Sequence, residues 1–305
     1  MKIRSVMREF KKNRWAYLFL VPALAYVFIF GYATMPYLII AFQKFDYQKG
    51  LASDWVGFKN FEFFFKSNRA WEVTFNTIWL NVLFMFFGIV AALTLALLIN
   101  EINNRKYVRV VQSTMLFPHF LSWVIVSYIL YALLSSDKGI INEGLKAMGQ
   151  SPVSWYSNAD YWRSILVVAR VWKGAGYSSI IYLAAIAGID NTLYEAAMID
   201  GASRWHCVWK ITLPLIAPTI CILTLMDIGK IFYGDFGMVY ALVKDSGQLL
   251  PKVDVIDTYV FRMLRVTGDP SMSMAISLYQ SVIGFLLVFT SNAAAKKFFP
   301  DGALF

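Results

Sequence analysis

Six long apolar blocks dominate this chain and limit what it can fold into. They cover residues 15–42, 74–100, 110–134, 162–189, 211–233 and 273–295. Each block exceeds the ~20 residues that a helix needs to cross a hydrocarbon core of about 30 Å. Only 15% of the residues are charged, whereas soluble domains have about 25%. The sequence therefore predicts an all-α integral membrane protein with six transmembrane helices.

The distribution of Lys and Arg predicts the orientation of these helices. One face of the predicted domain carries 13 basic residues in about 54 positions; it comprises the N-terminal tail, the 101–109 turn, the 190–210 loop and the C-terminal tail. The loops on the other face carry 11 basic residues in about 97 positions. The denser side is the cytoplasmic one by the positive-inside rule. We therefore expect cytoplasmic tails at 1–14 and 296–305 around a multi-pass, lipid-embedded domain of residues 15–295. The net charge of +9 follows from this asymmetry and does not indicate binding to nucleic acid.

The polar loop between the fourth and fifth apolar blocks has strong local structure signals. Thr192 and Glu195 fit a capping box that would begin a short helix. Gly201 suits the left-handed position at which that helix would end, and Ser203 would cap a second short helix that runs to Lys210. Pro214 falls in the first turn of the fifth span, where proline is tolerated. The loop is thus predicted to be a rigid helix–turn–helix that projects from the membrane.

The same loop carries a spaced motif that extends into the fifth span. It reads Glu195-Ala196-Ala197, three residues, Gly201, nine residues, then Ile211-Thr212-Leu213-Pro214. At every defined position this resembles the signature loop of permease subunits of bacterial ABC importers. The resemblance implies that the loop is the coupling helix, which docks into a cytoplasmic ATPase subunit. The coupling residues implied are Glu195, Ala196, Ala197, Asp200, Gly201, Arg204, Leu213 and Pro214.

Other segments resemble the carbohydrate branch of these permeases. They are Tyr17–Ala23, Asn76-Thr77, Gly188–Glu195 and Ile199–Trp205. Near the end of the chain, Asp257–Val260 and Gln280–Gly284 resemble importers of complex oligosaccharides, including those derived from pectin and alginate. The resemblance implies a bacterial cytoplasmic membrane protein that works with a second permease subunit in a heterodimer, two ATPase subunits and an extracytoplasmic solute-binding protein. ATP and Mg²⁺ would bind to the ATPase partner, and no cofactor is expected on this chain.

Charged residues lie within two of the predicted spans. Ionisable side chains in a membrane are costly, so they indicate a functional site by default. The candidate substrate-binding residues are Arg170, Trp172, Lys173 and Tyr177 in the fourth span and Asp227, Lys230 and Tyr233 in the fifth. Two interpretations remain open from the sequence. The charges form structural ion pairs, such as Asp227 with Lys230 or Arg170, or they line a sugar cavity whose surplus cations suit an acidic substrate. Glycines in the spans (Gly88, Gly174, Gly176 and Gly188) are expected to allow close helix packing.

No catalytic or metal site is expected. The sequence has no phosphate-binding Gly-rich Lys motif, no Gly-x-Ser-x-Gly motif and no zinc signature. His119 and His206 have no partner at metal-ligand spacing, so ATP hydrolysis would require another chain. Two other functions are weighed. An ion-coupled secondary transporter would show inverted repeats or broken helices around ion ligands, and a membrane-embedded transferase would cluster acidic or His residues near one membrane face.

Overall fold

The computed structural model describes residues 12–298 and is mostly helical over that range. Its α-helices are α1 Arg14–Val27, α2 Lys59–Lys66, α3 Asn68–Asn100, α4 Arg105–Phe120, α5 Trp123–Leu134, α6 Ile140–Ala147, α7 Trp162–Ala187, α8 Asn191–Ile199, α9 Arg204–Cys207, α10 Leu213–Ile228, α11 Phe236–Val243, α12 Leu250–Val253, α13 Ile256–Thr267 and α14 Pro270–Phe298. Two short strands, β1 Gln43–Lys44 and β2 Asp54–Trp55, pair antiparallel. The predicted tails, 1–14 and 296–305, lie mostly outside the described residues.

The helices long and apolar enough to cross a membrane are fewer than the six predicted. Within residues 12–298 four helical stretches qualify, namely Arg14–Phe42, Asn68–Asn100, Arg204–Ile228 and Pro270–Lys297. The α4–α5 pair is bent by 99° and makes a fifth if it is taken as one span. Helix α7 has 26 residues, but Arg170 and Lys173 near its middle lower its hydropathy. A mostly helical membrane protein is therefore confirmed, and the count of spans by length and hydropathy is four or five.

The protein core forms where α7 packs along α3. Trp162 at the start of α7 is fully buried, and its indole Nε1 donates a hydrogen bond to the carbonyl of Trp155 at 2.7 Å. Towards the other end of the pair, Ala92 and Ala96 of α3 are fully buried beside Tyr182 of α7. These small side chains let the two helices approach closely, as is typical of membrane helix interfaces. Helix α7 therefore packs against α3 on one face, and its other faces contact α4 and line a cavity.

A second close approach joins α7 to α4. A Cβ atom added at Gly176 would lie 2.1 Å from the carbonyl oxygen of Met115 in α4. The predicted packing role of Gly176 is thus confirmed, because only a residue without a side chain fits there. Gly88 and Gly174 differ from it, since a Cβ at either would meet nothing within 4 Å. Both of these glycines line an open cavity instead.

Candidate functional site

The polar loop after α7 begins with a cap that differs from the predicted one. Asp190 is the N-cap of α8, and its Oδ1 accepts a hydrogen bond from the backbone N–H of Thr192 at 2.9 Å. The predicted capping box of Thr192 with Glu195 is therefore wrong, because Thr192 already lies in the first turn of the helix. The hydrogen bonds from the backbone and side chain of Thr192 lower the pKa of Asp190. Aspartate competes well with threonine at such positions because its carboxylate also complements the helix dipole.

The turn at the end of α8 has the predicted form. Gly201 has φ of +82°, a left-handed value that strains any residue with a Cβ. The N–H of Gly201 donates to the carbonyl of Met198, and the N–H of Ala202 donates to the carbonyl of Ala197. This pair of bonds is a Schellman motif, which satisfies carbonyls at the end of the helix. Ser203 caps the next helix as predicted, because its Oγ accepts a hydrogen bond from the backbone N–H of His206.

The second short helix and the fifth span are one continuous helix rather than two. Residues Arg204–Ile228 run without a break, with a π-helical turn at Val208–Thr212. Pro214 follows this turn and has no N–H to donate to the preceding turn, and the wider π turn accommodates that loss. Tyr194 Oη lies 2.9 Å from Thr212 Oγ1, so α8 is tied to the same helix. The loop is thus connected to α10 by a continuous helix and by a side-chain hydrogen bond.

The outer surface of the loop combines exposed apolar residues with an ion pair. Ile199 is 86% exposed and Trp205 is 69% exposed, which is unusual on an otherwise polar loop. Large exposed apolar side chains on a loop are candidates for a protein–protein contact site. Arg204 Nη1 lies 2.5 Å from Glu101 Oε2, at the residue that follows α3. The ion pair therefore links the loop to the end of the helix that packs along α7.

A cavity of about 600 Å³ lies between α3, α7 and α10. Six of the seven predicted substrate residues line it, namely Arg170, Lys173, Tyr177, Asp227, Lys230 and Tyr233. The seventh, Trp172, faces a separate groove with Phe87 and Val168. Its placement with the others was wrong because two residues along an α-helix rotate the side chain by about 200°. Polar lining residues outside the predicted set include Asn81, His119, Ser178 and Asp235.

Arg170 pairs with Asp235 rather than with Asp227. Its Nη1 lies 3.2 Å from Asp235 Oδ2, and Asp235 Oδ1 caps α11 by accepting from the N–H of Met238. Within the described part of the chain, Asp227 makes no direct ion pair with either Arg170 or Lys230, although the charges of both residues act on it. Arg170 meets Asp235 because the chain leaves the helix after Ile228 and returns Asp235 to the side of α7.

Lys173 is bound to neutral groups at the bend between α4 and α5. Its Nζ donates to the carbonyl of His119 at 2.7 Å and lies 5.3 Å from the centre of the Trp123 ring. A cation is favoured there because the last carbonyls of a helix are unpaired and carry the negative end of its dipole. The ring of His119 also stacks on Tyr177, with 4.4 Å between the ring centroids. Lys173 therefore holds the bend to α7 and is not a free charge.

The segment that joins α10 to α11 is not helical, yet its carbonyl groups are paired. Asn81 Nδ2 donates to the carbonyls of Ile231 and Tyr233 at 3.0 and 3.1 Å. Gln280 Nε2 donates to the carbonyl of Phe232 and to Asp257 Oδ2. Irregular backbone at membrane depth is tolerated only where it is buried in protein or lines a cavity. Side chains from α3 and α14 thus fix this irregular segment at the cavity wall.

Interrupted helices beside a charged cavity occur at the substrate sites of membrane transporters. Residues 85–298 match the model of the family described as binding-protein-dependent transport system inner membrane component. The chain belongs to this family. Within the described residues, no three or more His, Cys, Asp or Glu side chains form a group that could hold a metal ion.

Individual relatives resemble the chain over nearly its whole length. Protein LplB of Bacillus subtilis is 38% identical over 98% of this chain and 93% of its own. The polygalacturonan/rhamnogalacturonan transport system permease protein YteP of the same organism is 34% identical over 99% of this chain and 94% of its own. Among solved structures, a chain of a bacterial ABC transporter involved in the import of the acidic polysaccharide alginate is 31% identical. It superposes with a TM-score of 0.88 over 96% of this chain and 99% of that chain.

Proposed function

We propose that this chain is a permease subunit of an ATP-driven importer that moves an acidic oligosaccharide across the bacterial cytoplasmic membrane. The observation that carries the proposal is the cavity between α3, α7 and α10, where three cations meet only two carboxylates. Because its charged lining carries a net positive charge, the cavity is electrostatically complementary to an anionic ligand. Two of the similar proteins are described as part of a polygalacturonan/rhamnogalacturonan transport system and of a transporter that imports the acidic polysaccharide alginate. Polygalacturonan and alginate are built from uronic acids.

The cavity also offers the neutral groups that sugar recognition needs. Tyr177, stacked with His119, presents an aromatic surface at the wall, and a sugar ring has a flat apolar face that packs on such surfaces. Tyr233 Oη bonds to Ser281 Oγ at 3.2 Å and adds a hydroxyl group to the rim. The cavity is open on one side, where we expect the second permease subunit to complete the pathway. Both permeases would then contact the sugar.

Coupling to ATP hydrolysis is assigned to the loop between α7 and α10. Its exposed apolar residues fit a groove on an ATPase subunit, and the Schellman turn at Gly201 gives the loop a fixed shape. Leu213 and Pro214 continue it directly into α10, and the Arg204–Glu101 ion pair connects it to α3. Motion at the loop would thus reach two of the helices that line the cavity. ATP and Mg²⁺ would bind to two copies of the ATPase, and a solute-binding protein would deliver the sugar on the opposite face.

The proposed topology has six spans with both termini in the cytoplasm. Helix α7 is not apolar enough to be identified as a span by hydropathy alone, because it contains Arg170 and Lys173. Both residues line the cavity, where Arg170 forms an ion pair with Asp235 and Lys173 donates to the His119 carbonyl. Charged residues that face a bundle interior are compatible with a transmembrane helix. The α4–α5 pair would be a single span bent at Leu121 and Ser122, between the two helices. Six spans place the loop on the same side as the basic turn at 101–109, as the positive-inside rule requires.

An ion-coupled secondary transporter is the second candidate, because the bend between α4 and α5 and the irregular segment after α10 are interruptions of the kind that bind ions in such proteins. The carbonyls of Ile231, Phe232 and Tyr233 are occupied by Asn81 and Gln280. Amide side chains therefore fill the positions that a coupling ion would need. A membrane-embedded transferase has no supporting observation among the described residues.

The test is reconstitution of the whole transporter. The chain would be co-purified with its second permease and ATPase, placed in proteoliposomes and supplied with its binding protein. We expect uptake of oligogalacturonides or oligoalginates that depends on both ATP and the binding protein. Uptake driven by an ion gradient without ATP would support the secondary transporter. ATP-driven uptake restricted to neutral oligosaccharides would contradict the acidic substrate and leave the importer assignment standing.

A further inference from the structure

The three cations of the cavity are not equivalent. Arg170 is neutralised by Asp235 at 3.2 Å, and Lys173 is bound to the His119 carbonyl and lies over the Trp123 ring. Lys230 also lines the cavity and is exposed to it. Within residues 12–298, its side chain makes no hydrogen bond or ion pair with another described side chain. Lys230 is thus the cavity cation whose ammonium group has no direct partner among the described residues.

Among the described residues, neither cavity carboxylate is in direct ion-pair contact with Lys230, although the charge of Lys230 acts on Asp227. Asp235 is held twice, by Arg170 and by the N–H of Met238 at the start of α11. Asp227 lies one turn before Lys230, which puts the two residues on the same side of the chain, but the two groups do not form an ion pair. Asp227 and Lys230 therefore attract each other without a direct contact, and both side chains remain accessible to a ligand.

The backbone around Lys230 is fixed although its side chain is not. Lys230 lies where α10 ends, and the carbonyls that follow it are held by Asn81 and Gln280. A ligand group that binds Lys230 therefore meets a side chain on a positioned backbone, and less entropy is lost than on a mobile loop. A charge-assisted contact between an ammonium group and a carboxylate is also stronger than a contact between neutral groups.

We propose that Lys230 is the specificity-determining residue of the cavity, and that its ammonium group binds the carboxylate of a uronate unit during passage. Arg170 and Lys173 are positioning residues that hold α7 to the α10–α11 segment and to the bend between α4 and α5. Asp227, on the same side as Lys230, accepts hydrogen bonds from the hydroxyls of the same sugar unit. This inference rests on the proposed function, because it assumes that an oligosaccharide passes through this cavity.

The test compares Lys230→Met, Lys230→Arg and Lys173→Met in the reconstituted transporter. The substrates are an oligogalacturonide of defined length and the carboxyl-reduced oligosaccharide of the same length and linkage. We expect Lys230→Met to lower uptake of the acidic sugar about tenfold, the effect typical of losing a charged hydrogen bond. Uptake of the reduced sugar should change less than about twofold. Lys230→Arg keeps the charge and should retain most acidic uptake.

Lys173→Met serves as the matched control on the neighbouring helix. Because Lys173 holds the bend, this variant should lower the melting temperature of the complex and reduce uptake of both sugars equally. Lys230→Met should leave the melting temperature unchanged. Where the wild type does not carry the reduced sugar, the difference between Lys230→Met and Lys230→Arg on the acidic sugar decides the question.

Several outcomes would overturn the inference. If Lys230→Met takes up the acidic sugar at the wild-type rate, another group must bind the carboxylate. Equal loss of both sugars, or a lowered melting temperature, would give Lys230 a structural role. If Lys230→Arg lost uptake of the acidic sugar as fully as Lys230→Met, the positive charge at this position would not determine specificity. A wild-type transporter that carries no acidic oligosaccharide would refute the proposed function itself, which separates the two failures.

Discussion

Replacing Gly176 with alanine would place a Cβ atom between two helices that have no room for it. The new atom would lie 2.1 Å from the carbonyl oxygen of Met115, where ordinary contact begins near 3.4 Å, so α4 would have to move away from α7 by about 1.3 Å. The neighbour is backbone, which cannot rotate away as a flexible side chain would. The same movement would strain the hydrogen bond from Lys173 to the His119 carbonyl and the stacking of His119 on Tyr177.

The expected cost can be estimated from two opposing effects. Alanine stabilises a helix interior by about 0.8–1.0 kcal/mol relative to glycine, whereas overpacking a core costs about 1–3 kcal/mol. We place the overpacking at the upper end because the backbone must shift, which leaves a net loss of about 2 kcal/mol for Gly176→Ala. A change of this size lowers the melting temperature of a domain of this size by about 4–8 °C.

Gly174→Ala is the matched control, because it lies in the same helix but its new Cβ would meet nothing within 4 Å. It should keep only the gain in helix propensity and match or slightly exceed the wild-type melting temperature. The measurement is thermal unfolding of the purified complex in detergent, together with its yield from membranes. Equal stability of Gly176→Ala and Gly174→Ala would refute the close contact between α4 and α7.

Three further predictions concern the loop and its orientation. Gly201→Val should reduce ATP-driven uptake without reducing membrane insertion, because φ of +82° strains a β-branched residue. The same change at Gly149, where φ is +76°, should leave uptake intact, and equal effects would remove the coupling role. Reversing the charge of Glu101 or Arg204 alone should weaken the coupling of ATP hydrolysis to uptake by about twofold to fivefold, as expected for an exposed ion pair worth up to about 1 kcal/mol. Reversing both should restore it, and a double variant no better than the singles would contradict the link. A cysteine at Asn158 should react with an impermeant reagent from outside while one at Arg204 does not, and the opposite pattern would invert the topology.

The structure of the loop was largely predictable from the sequence because its determinants are local. A glycine with a left-handed conformation and a serine cap act within a few residues, so Gly201 and Ser203 have the predicted roles. The start of α8 was misplaced because Asp190 and Thr192 are both good caps, and their difference in capping strength is small. The continuity of Arg204–Ile228 was missed because a π turn has no distinct sequence signal beyond the proline that follows it.

The partners inside the cavity could not be predicted in the same way. Helical spacing correctly placed Arg170 and Lys173 on one face, and the same spacing excludes Trp172, which the sequence interpretation overlooked. The pairing of Arg170 with Asp235 depends on how the chain turns after Ile228, and 65 residues separate the two partners. His119 lines the cavity because its ring stacks on Tyr177 and its carbonyl accepts from Lys173, and neither contact has a sequence signal.

Helix α3 connects the two parts of the proposed mechanism. Near its middle, Asn81 holds the irregular segment that carries Lys230, and Glu101 immediately after it is paired with Arg204 in the loop. The loop also continues directly into α10, whose end leads to the same irregular segment. Two physical routes therefore run from the ATPase-facing surface to the backbone beside Lys230. If both carry motion, breaking the ion pair should weaken coupling only partially, because the continuous helix from Arg204 to Ile228 remains.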